Sequence, residues 1–296
     1  MLRRRKRTEA MFKIVGIGSL ALAIGTLALL FGALVVEGAS RIDWQFLTSF
    51  PSRRAMQAGV LPALVGSSLI MLVTAVVGIP LGVAAAIYLE EYARRTWLTE
   101  LIEVTVTNLA GVPSIIFGLL ALGLFVYILG LGASILTAGL TLALLILPVV
   151  IVTTREAIRA IPVQIREAAF ALGATKWQTV SHHVLPYSAA GILTGIILSL
   201  SRAIGETAPI VTIGALTFIA FLPPAPFTDQ PPFLSFEWLM SPFTVMPIQM
   251  FAWVSRPGAD FASNAAAAGL LLVCMTFAMN GLAIYVRYRM RKRVSW

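Results

Sequence analysis

Six long apolar runs constrain what this chain can fold into more than any other feature of its sequence. A membrane span needs about 20 apolar residues to cross a hydrocarbon core of roughly 30 Å. Because 58% of the residues are hydrophobic and only 12% are charged, a soluble domain of this size would expose large apolar patches. The composition therefore excludes a soluble enzyme and a disordered chain, and it predicts an all-α polytopic membrane protein. The apolar runs cover residues 14–36, 60–89, 105–131, 133–153, 188–222 and 262–286.

The distribution of basic residues predicts how these runs cross the membrane. The run at 188–222 would be about 52 Å long as a straight helix, so it could hold one span or two. With six spans and the N-terminus inside, seventeen of the 22 Lys and Arg residues fall on cytoplasmic segments, as the positive-inside rule favours. A seventh span would move the basic C-terminal tail outside. We therefore expect six transmembrane helices with both termini in the cytoplasm.

This topology divides the chain into segments. The first run is too long for the apolar part of a signal peptide and no A-x-A site follows it, so we expect a retained anchor. A segment rich in Pro and aromatic residues is expected to be ordered at the outer membrane interface, where Trp and Phe find apolar surroundings. The predicted parts are a basic cytoplasmic N-terminus (1–13), the anchor (14–36), an external loop (37–59), a core (60–286) with a cytoplasmic loop (154–187) and the external Pro/aromatic segment (223–261), and a basic cytoplasmic tail (287–296).

The cytoplasmic loop carries start and stop signals for helices. Pro162 suits a first helical turn, and Gly173 suits the left-handed residue that ends a helix. Thr175 followed by Gln178 is a capping-box pattern that starts a second helix. Pro186 is expected to close that helix before the next span. The loop is therefore predicted to form two short helices broken at a glycine.

The same loop resembles the EAA loop of ABC-importer permeases. The residues that carry the resemblance are Glu167, Ala168, Ala169, Gly173, Leu185 and Pro186. It implies a type I ABC-importer permease fold, in which the first short helix sits in a cleft of a separate ATPase subunit and carries its motion to the membrane. His183 stands where the family usually has an aliphatic residue, a departure that concerns the packing of the second helix. A surface amphipathic hairpin is the alternative interpretation.

Two opposite charges lie within the fifth apolar run. Arg202 and Glu206 are four residues apart, so one helix would place them on the same face, where they can pair. Charges at membrane depth are costly and indicate a functional site. Pro209 is expected to kink or end this helix. The alternatives are that the two charges merely neutralise each other, or that Arg202 reaches an interface by snorkelling.

The stretch around this pair resembles the PstA/PstC-type phosphate permeases of ABC importers. That stretch is RAIGETAP, and PLGVAAAIYLEEYA, NLAGVPSIIFG and FTVMPIQMFAWVSRP are similar to the same family, the last favouring its PstA branch. The resemblance implies a subunit that imports inorganic phosphate across a bacterial inner membrane by alternating access. The partners it implies are a second, PstC-type permease, two PstB-type ATPase subunits, an external phosphate-binding protein and membrane lipid.

The chemistry of the charged pair fits that cargo. A guanidinium offers a planar fork of donors that matches a phosphate oxyanion. Phosphate near neutral pH carries a proton from which a carboxylate can accept a hydrogen bond, whereas sulfate has none and would be repelled. Our hypothesis is that Arg202 attracts the passing anion while Glu206 disfavours unprotonated oxyanions. Thr207, Ser201 and Ser199 are candidates to line the same path, although such hydroxyls also bond to helix carbonyls.

Motifs that the chain lacks limit its function further. No G-x-x-x-x-G-K-[ST] loop is present, so ATP is expected to bind a partner subunit. We expect this chain to bind no cofactor and to be a transport subunit rather than an enzyme. His182 and His183 are adjacent and point to different helix faces, which argues against a metal site. Glu90 and Glu91 are interpreted as an interfacial charged cap without a chemical role. Binding of nucleic acid is not expected, because the chain has no soluble domain that could carry a basic binding surface. The alternatives are a permease for sulfate, molybdate or phosphonate and, from a different class, an intramembrane enzyme or a sensor subunit.

Overall fold

The computed structural model describes residues 2–227, 233 and 235–291. Met1, part of the Pro/aromatic segment (228–232 and 234) and the end of the tail (292–296) lie outside these ranges. Within them the regular elements are helical. The α-helices are α1 (Leu2–Gly38), α2 (Trp44–Thr48), α3 (Leu61–Ile87), α4 (Trp97–Leu109), α5 (Ser114–Ala121), α6 (Ile135–Arg159), α7 (Val163–Ala171), α8 (Lys176–Thr179), α9 (Leu185–Ala203), α10 (Ala208–Thr212), α11 (Met246–Val254) and α12 (Ala259–Arg291). Wider π-helical segments continue α3, α5 and α8 at Tyr88–Tyr92, Leu122–Ile128 and Val180–Val184.

In the described part of the chain, five helical stretches are long and apolar enough to cross a membrane, and a bent pair makes a sixth candidate. The bent pair consists of Trp97–Leu109 and Ser114–Ile128, which turn by 108° relative to each other. The apolar run at 105–131 is therefore not one straight span. Pro113 lies at this break and stands at the N-cap of α5. The prediction of six transmembrane helices is confirmed when the bent pair counts as one crossing.

The core of the bundle forms where α3 and α6 pack along each other. Glycines permit their close approach, since Gly82 of α3 faces Val150 of α6. A second contact of this kind lies between Gly195 of α9 and Thr153 of α6. Small residues at helix crossings are typical of membrane bundles, where backbones must come close for packing to stabilise the fold. Side chains of α5, α10 and α11 complete this core.

The first helix lies outside the core. The apolar window of its candidate span has no buried share, and α1 meets the bundle through its C-terminal end, where Gly38 packs against Ala266 of α12. The loop that follows is pinned by the buried Arg41. Its guanidinium donates to Asn264 Oδ1 of α12 at 2.8 Å and to the Ala58 carbonyl at 3.0 Å. The loop at 37–59 is thereby fixed on α12, while α1 presents its apolar surface outward.

The fifth apolar run is built differently from the expectation. Pro186 does not close a helix, because Lys176–Ala203 is one helical stretch that passes through the π-helical segment. The π-helical segment ends at Val184, so Pro186 stands in the first turn of α9, where a proline is tolerated. The stretch ends at Ala203, and Pro209 belongs to the first turn of the next helix, α10. Arg202 and Glu206 therefore do not share one helix, which corrects the prediction.

The Pro/aromatic segment folds partly into the protein rather than lying wholly at an interface. Trp238, Phe243 and Trp253 are buried among residues of the bundle. The stretch before α11 is held by Ser67 of α3, whose hydroxyl accepts the backbone N–H of Met246 at 2.9 Å. The apolar surroundings that these aromatic side chains require are supplied by α3, α6 and α12. Composition alone could not distinguish such a site from a lipid interface.

Candidate functional site

A break in the helical bundle places Arg202 beside Glu206. After α9 ends at Ala203, the chain turns through Gly205 and begins α10 at Ala208. Across this turn Arg202 Nε lies 3.2 Å from Glu206 Oε1, so the expected ion pair forms although no single helix holds it. The Arg202 side chain is 46% exposed and that of Glu206 is 18% exposed. The guanidinium thus faces open space, while the carboxylate is mostly covered.

The three hydroxyl candidates occupy different positions around this break. Ser199 is buried and donates to the Gly195 carbonyl of its own helix at 2.8 Å. Ser201 donates to Asn280 Oδ1 of α12 at 2.6 Å, which ties α9 to α12. Thr207 is half-buried beside Glu206 and lies 3.4 Å from the Gly205 carbonyl. Thr207 thus adjoins the charged pair in the chain, whereas Ser199 and Ser201 serve contacts within and between helices.

Two of the stretches that carry the family resemblance meet at this break. Gly118 of α5 packs so closely against Pro209 and Thr212 of α10 that a methyl group on Gly118 would collide with both. Glu206 and Ser67 also line a small cavity of about 10 Å³, room for one water molecule. The geometry of the break is therefore set by packing against α5 and the core as well as by the ion pair.

The loop that resembles the EAA loop, residues 154–187, is called the coupling loop for that resemblance, and its helices break at the glycine as expected. α7 ends before Gly173, whose φ of +82° is the left-handed conformation that glycine adopts without strain. The capping box is present, since Thr175 Oγ1 accepts the Gln178 N–H at 3.3 Å and Gln178 Oε1 accepts the Thr175 N–H at 2.8 Å. The expectations for Gly173 and for the capping box are confirmed.

The EAA residues divide between a solvent face and a bundle face. Glu167 and Ala168 are exposed, whereas Ala169 is buried. Leu185 and Pro186 are half-buried at the start of α9. Large apolar side chains near the glycine, Phe170, Leu172 and Trp177, are exposed as well. The first short helix therefore presents an open, partly apolar surface.

A network of three acids and three arginines joins this loop to the bundle, and the sequence analysis did not identify it. Arg166 of α7 pairs with Glu91 at 2.8 Å between Nη2 and Oε1. Arg159 Nε lies 2.8 Å from Glu90 Oε1. The third arginine, Arg155, is 3.3 Å from Glu90 Oε2 through its Nε and contacts the carboxylate of Glu103 on α4 through Nη2. Glu90 and Glu91, interpreted above as an interfacial charged cap, are paired and half-buried.

One signal in the sequence could have pointed to this network. Arg155 and Arg159 are four residues apart at the end of an apolar run, so both fall on one helix face. Glu90 and Glu91 end another apolar run, and the predicted topology places that end on the cytoplasmic side of the membrane, as it does Arg155 and Arg159. The sequence does not indicate that α3 and α6 are neighbours, so it could not predict that these side chains meet.

The similarities to known proteins agree with this architecture. The family described as binding-protein-dependent transport system inner membrane component matches residues 78–294. This chain belongs to that family. Its members are permease subunits of ABC transporters, so the chain is a multi-pass membrane transport subunit and not an enzyme. The ATPase of such a system is a separate subunit, as the missing nucleotide loop predicted.

Individual members of the permease family extend the similarity along most of the chain. The phosphate transport system permease protein PstA of Yersinia pestis is 32% identical over 92% of this chain and 90% of that protein. PstA of Mycobacterium leprae is 37% identical over 66% of this chain and 65% of that protein. The probable ABC transporter permease protein YqgI of Bacillus subtilis is 34% identical over 69% and 68% of the two chains.

A solved structure confirms the fold. A chain of the MetNI methionine ABC transporter, in an inward facing conformation, matches with a TM-score of 0.57 and 18% identity, covering 78% of this chain and 94% of that chain. The type I ABC-importer permease fold implied by the EAA loop is thereby confirmed.

Proposed function

We propose that this chain is the transmembrane subunit of an ATP-driven importer that carries inorganic phosphate into a bacterial cell through its inner membrane. The observation that carries the proposal is the Arg202–Glu206 pair, which lies at a break between helices with its guanidinium open and its carboxylate covered. Relatives named as phosphate transport permeases support the same cargo.

The pair provides the chemistry that a phosphate path requires. Arg202 uses Nε for Glu206, which leaves its two Nη groups to offer donors to a tetrahedral oxyanion. Glu206 holds the arginine in place when the path is empty. When an anion arrives, the carboxylate accepts a hydrogen bond from the proton that hydrogen phosphate carries, and it repels an oxyanion without such a proton. Thr207 lies beside the pair and is the hydroxyl best placed to contact the same anion.

The partners follow from the exposed surface of the coupling loop. The face formed by Glu167, Ala168 and the nearby Phe170 would dock into a cleft of a PstB-type ATPase subunit. Ala169 and Gly173 allow the close approach and the sharp bend, and Leu185 with Pro186 begins the span that moves. A PstC-type permease would complete the pore with this chain, two ATPase subunits would drive it, and an external phosphate-binding protein would deliver the cargo.

The same proposal sets the sidedness of the chain. Both termini and the loop at 154–187 lie in the cytoplasm, while the segments at 37–59 and 223–261 lie on the outer side of the membrane. ATP closes the two ATPase subunits, α7 moves with them, and the helices around the break at Arg202 change the side to which they open. No covalent chemistry takes place in this subunit.

Phosphate uptake by the complete assembly tests the proposal, with ATP hydrolysis recorded in the same vesicles. We expect Arg202→Gln to lower uptake at least tenfold while assembly and ATP hydrolysis persist, because the path loses its cationic donors. Arg53→Gln removes an exposed arginine outside the bundle and serves as the matched control. Normal uptake by the Arg202 variant would reduce the pair to a structural bridge and reopen the question of cargo.

A second variant distinguishes phosphate from other oxyanions. Glu206→Gln removes the negative charge but keeps a side chain of the same size, so competition by sulfate or molybdate is expected to rise while phosphate uptake falls. Transport of sulfate, molybdate or a phosphonate by the unmodified assembly, with phosphate excluded, would replace phosphate by that anion as the cargo.

A further inference from the structure

The guanidinium of Arg166 connects three parts of the molecule at one point. Its Nη2 lies 2.8 Å and its Nε 3.0 Å from Glu91 Oε1, in the π-helical segment that continues α3. Its Nη1 donates to the Ile161 carbonyl at 3.0 Å, and Nη2 also donates to the Ile158 carbonyl at 3.1 Å. One side chain of α7 thus holds the end of α3 and the end of α6 together.

The pair is shielded from solvent, unlike the surface of the helix that carries it. The Arg166 side chain is 17% exposed and that of Glu91 is 10% exposed, whereas the neighbouring Glu167 and Ala168 are exposed. A shielded pair is little screened by salt, and separating it leaves two charges without partners. The pair therefore resists separation when α7 is displaced.

Apolar contacts also attach α7 to the spans. An apolar cluster of Ile158, Ile161 and Val184 is joined by Ile165 of α7 and by Ile87 of α3. Contacts of this kind are non-directional. The charge-assisted hydrogen bonds of Arg166 are directional, and they fix both the distance and the orientation of α7 relative to α3.

Neighbouring ion pairs spread the attachment to further helices. Glu90, adjacent to Glu91, binds Arg159 and Arg155 of α6. Arg155 in turn contacts Glu103 of α4. A displacement that reaches Glu91 is therefore shared by the ends of α3 and α6 and by the middle of α4, which is one arm of the bent pair.

We propose that the Arg166–Glu91 pair is the linkage through which movement of α7 is passed to the end of α3, and that it determines how many anions are transported for each ATP hydrolysed. This inference rests on the proposed function, since it concerns coupling in a transport assembly. Arg166 and Glu91 are positioning residues in it: neither contacts the transported anion, and neither needs to contact the nucleotide.

The test measures phosphate uptake and ATP hydrolysis in vesicles that contain the complete assembly. Glu91→Gln keeps the shape of the side chain and removes the charge, and we expect uptake per ATP hydrolysed to fall at least fivefold while hydrolysis stays within about twofold of wild type. Glu100→Gln removes an exposed acid of α4 and is the matched control. The exchanged pair Glu91→Arg with Arg166→Glu is expected to recover part of the lost ratio.

A second variant keeps the test decisive if Glu91→Gln does not assemble. Arg166→Lys retains the charge, but one ammonium cannot hold Glu91 and two carbonyls in the same geometry, so the ratio is again expected to fall. If uptake per ATP hydrolysed is unchanged in Arg166→Lys, whether both rates stay at wild type or fall in equal proportion, the proposed linkage is overturned. Failure of the wild-type assembly to transport phosphate would contradict the proposed function instead, which separates the two conclusions.

Discussion

The molecule holds its charges near the membrane in two different ways. At the helix break, Arg202 pairs with a residue four positions along the chain, and its side chain is 46% exposed. At the end that carries the coupling loop, Arg155 and Arg166 pair with acids 65 and 75 positions away, and both are shielded. A local open pair can release one partner and accept an anion, whereas a closed network between distant segments holds helices together.

Burial explains why the two regions should respond differently to mutation. An exposed ion pair contributes little to stability because water and salt screen it. Removing one member of a buried pair leaves the other charge uncompensated, which costs much more than the pair itself contributed. The open pair is therefore expected to matter for transport and the closed network for the integrity and coupling of the bundle.

The largest effect is expected from Arg155→Gln. The Arg155 side chain is only 7% exposed, and its loss deprives Glu90 and Glu103 of a shared partner. We expect the free energy of unfolding to fall by up to about 3–5 kcal/mol, the range for a broken buried pair, with the remaining Arg159–Glu90 pair reducing the loss. Thermal unfolding of the purified subunit in detergent measures this change.

Arg94→Gln is the control for that experiment, because Arg94 is exposed and lies in the connection between α3 and α4. A change in unfolding temperature no larger than that of the control would contradict the distinction between the two regions. It would mean that water enters the network and screens it as it does the open pair.

A smaller effect is expected from Gly118→Ala, which tests whether packing holds the helix break. The added methyl group would collide with Pro209 and Thr212. Overpacking of this kind typically costs about 1–3 kcal/mol. We expect a lower unfolding temperature together with reduced phosphate uptake, because α10 and the neighbouring Glu206 must shift.

Gly123→Ala provides the control, since a methyl group there meets nothing within 4 Å. It is expected to leave both unfolding and uptake near wild type. Equal behaviour of the two alanine variants would show that the break adapts freely, and the position of Glu206 would then depend on its arginine alone.

The same contrast explains how much of the structure the sequence could predict. Apolar run length predicted the spans, and the local signals at Gly173 and Thr175 predicted the form of the coupling loop, because each depends on a few consecutive residues. The Arg202–Glu206 pair was found for the same reason. The prediction that one helix holds both residues was wrong, because the turn at Gly205 brings the two side chains together as a helical turn would.

What the sequence could not predict depends on which helices are neighbours. Glu91 and Arg166 are 75 positions apart, and only the packing of α3 on α6 brings them together. Trp253 shows the same limit, since an aromatic residue near a membrane is apolar enough for lipid and for a core alike. Pro186 was misjudged because it stands in the first turn of α9, a position that suits a proline, while the helical stretch runs on from the π-helical segment before it.

A smaller loss of stability than in Gly118→Ala is expected for Ser201→Ala, which tests an uncharged hydrogen bond near the open pair. The variant loses the hydrogen bond to Asn280 that joins α9 to α12 at 2.6 Å. Hydrogen bonds between membrane helices contribute about 1 kcal/mol or less. We expect a small loss of unfolding free energy and unchanged uptake, measured beside Thr194→Ala, whose hydroxyl likewise bonds to its own helix and to α12. A loss of uptake in Ser201→Ala alone would place this hydroxyl on the path.

The smallest effect on stability, and the sharpest separation of the two regions, is expected for Arg202→Gln. An exposed ion pair contributes about 0.2–1 kcal/mol, so unfolding should barely change although uptake falls at least tenfold. Glu206 is mostly covered and loses its partner, so the double variant Arg202→Gln with Glu206→Gln should unfold no earlier than the single one. If Arg202→Gln instead destabilised the protein as much as Arg155→Gln, the pair at the break would belong with the closed network, and its loss of transport would carry no information about the anion.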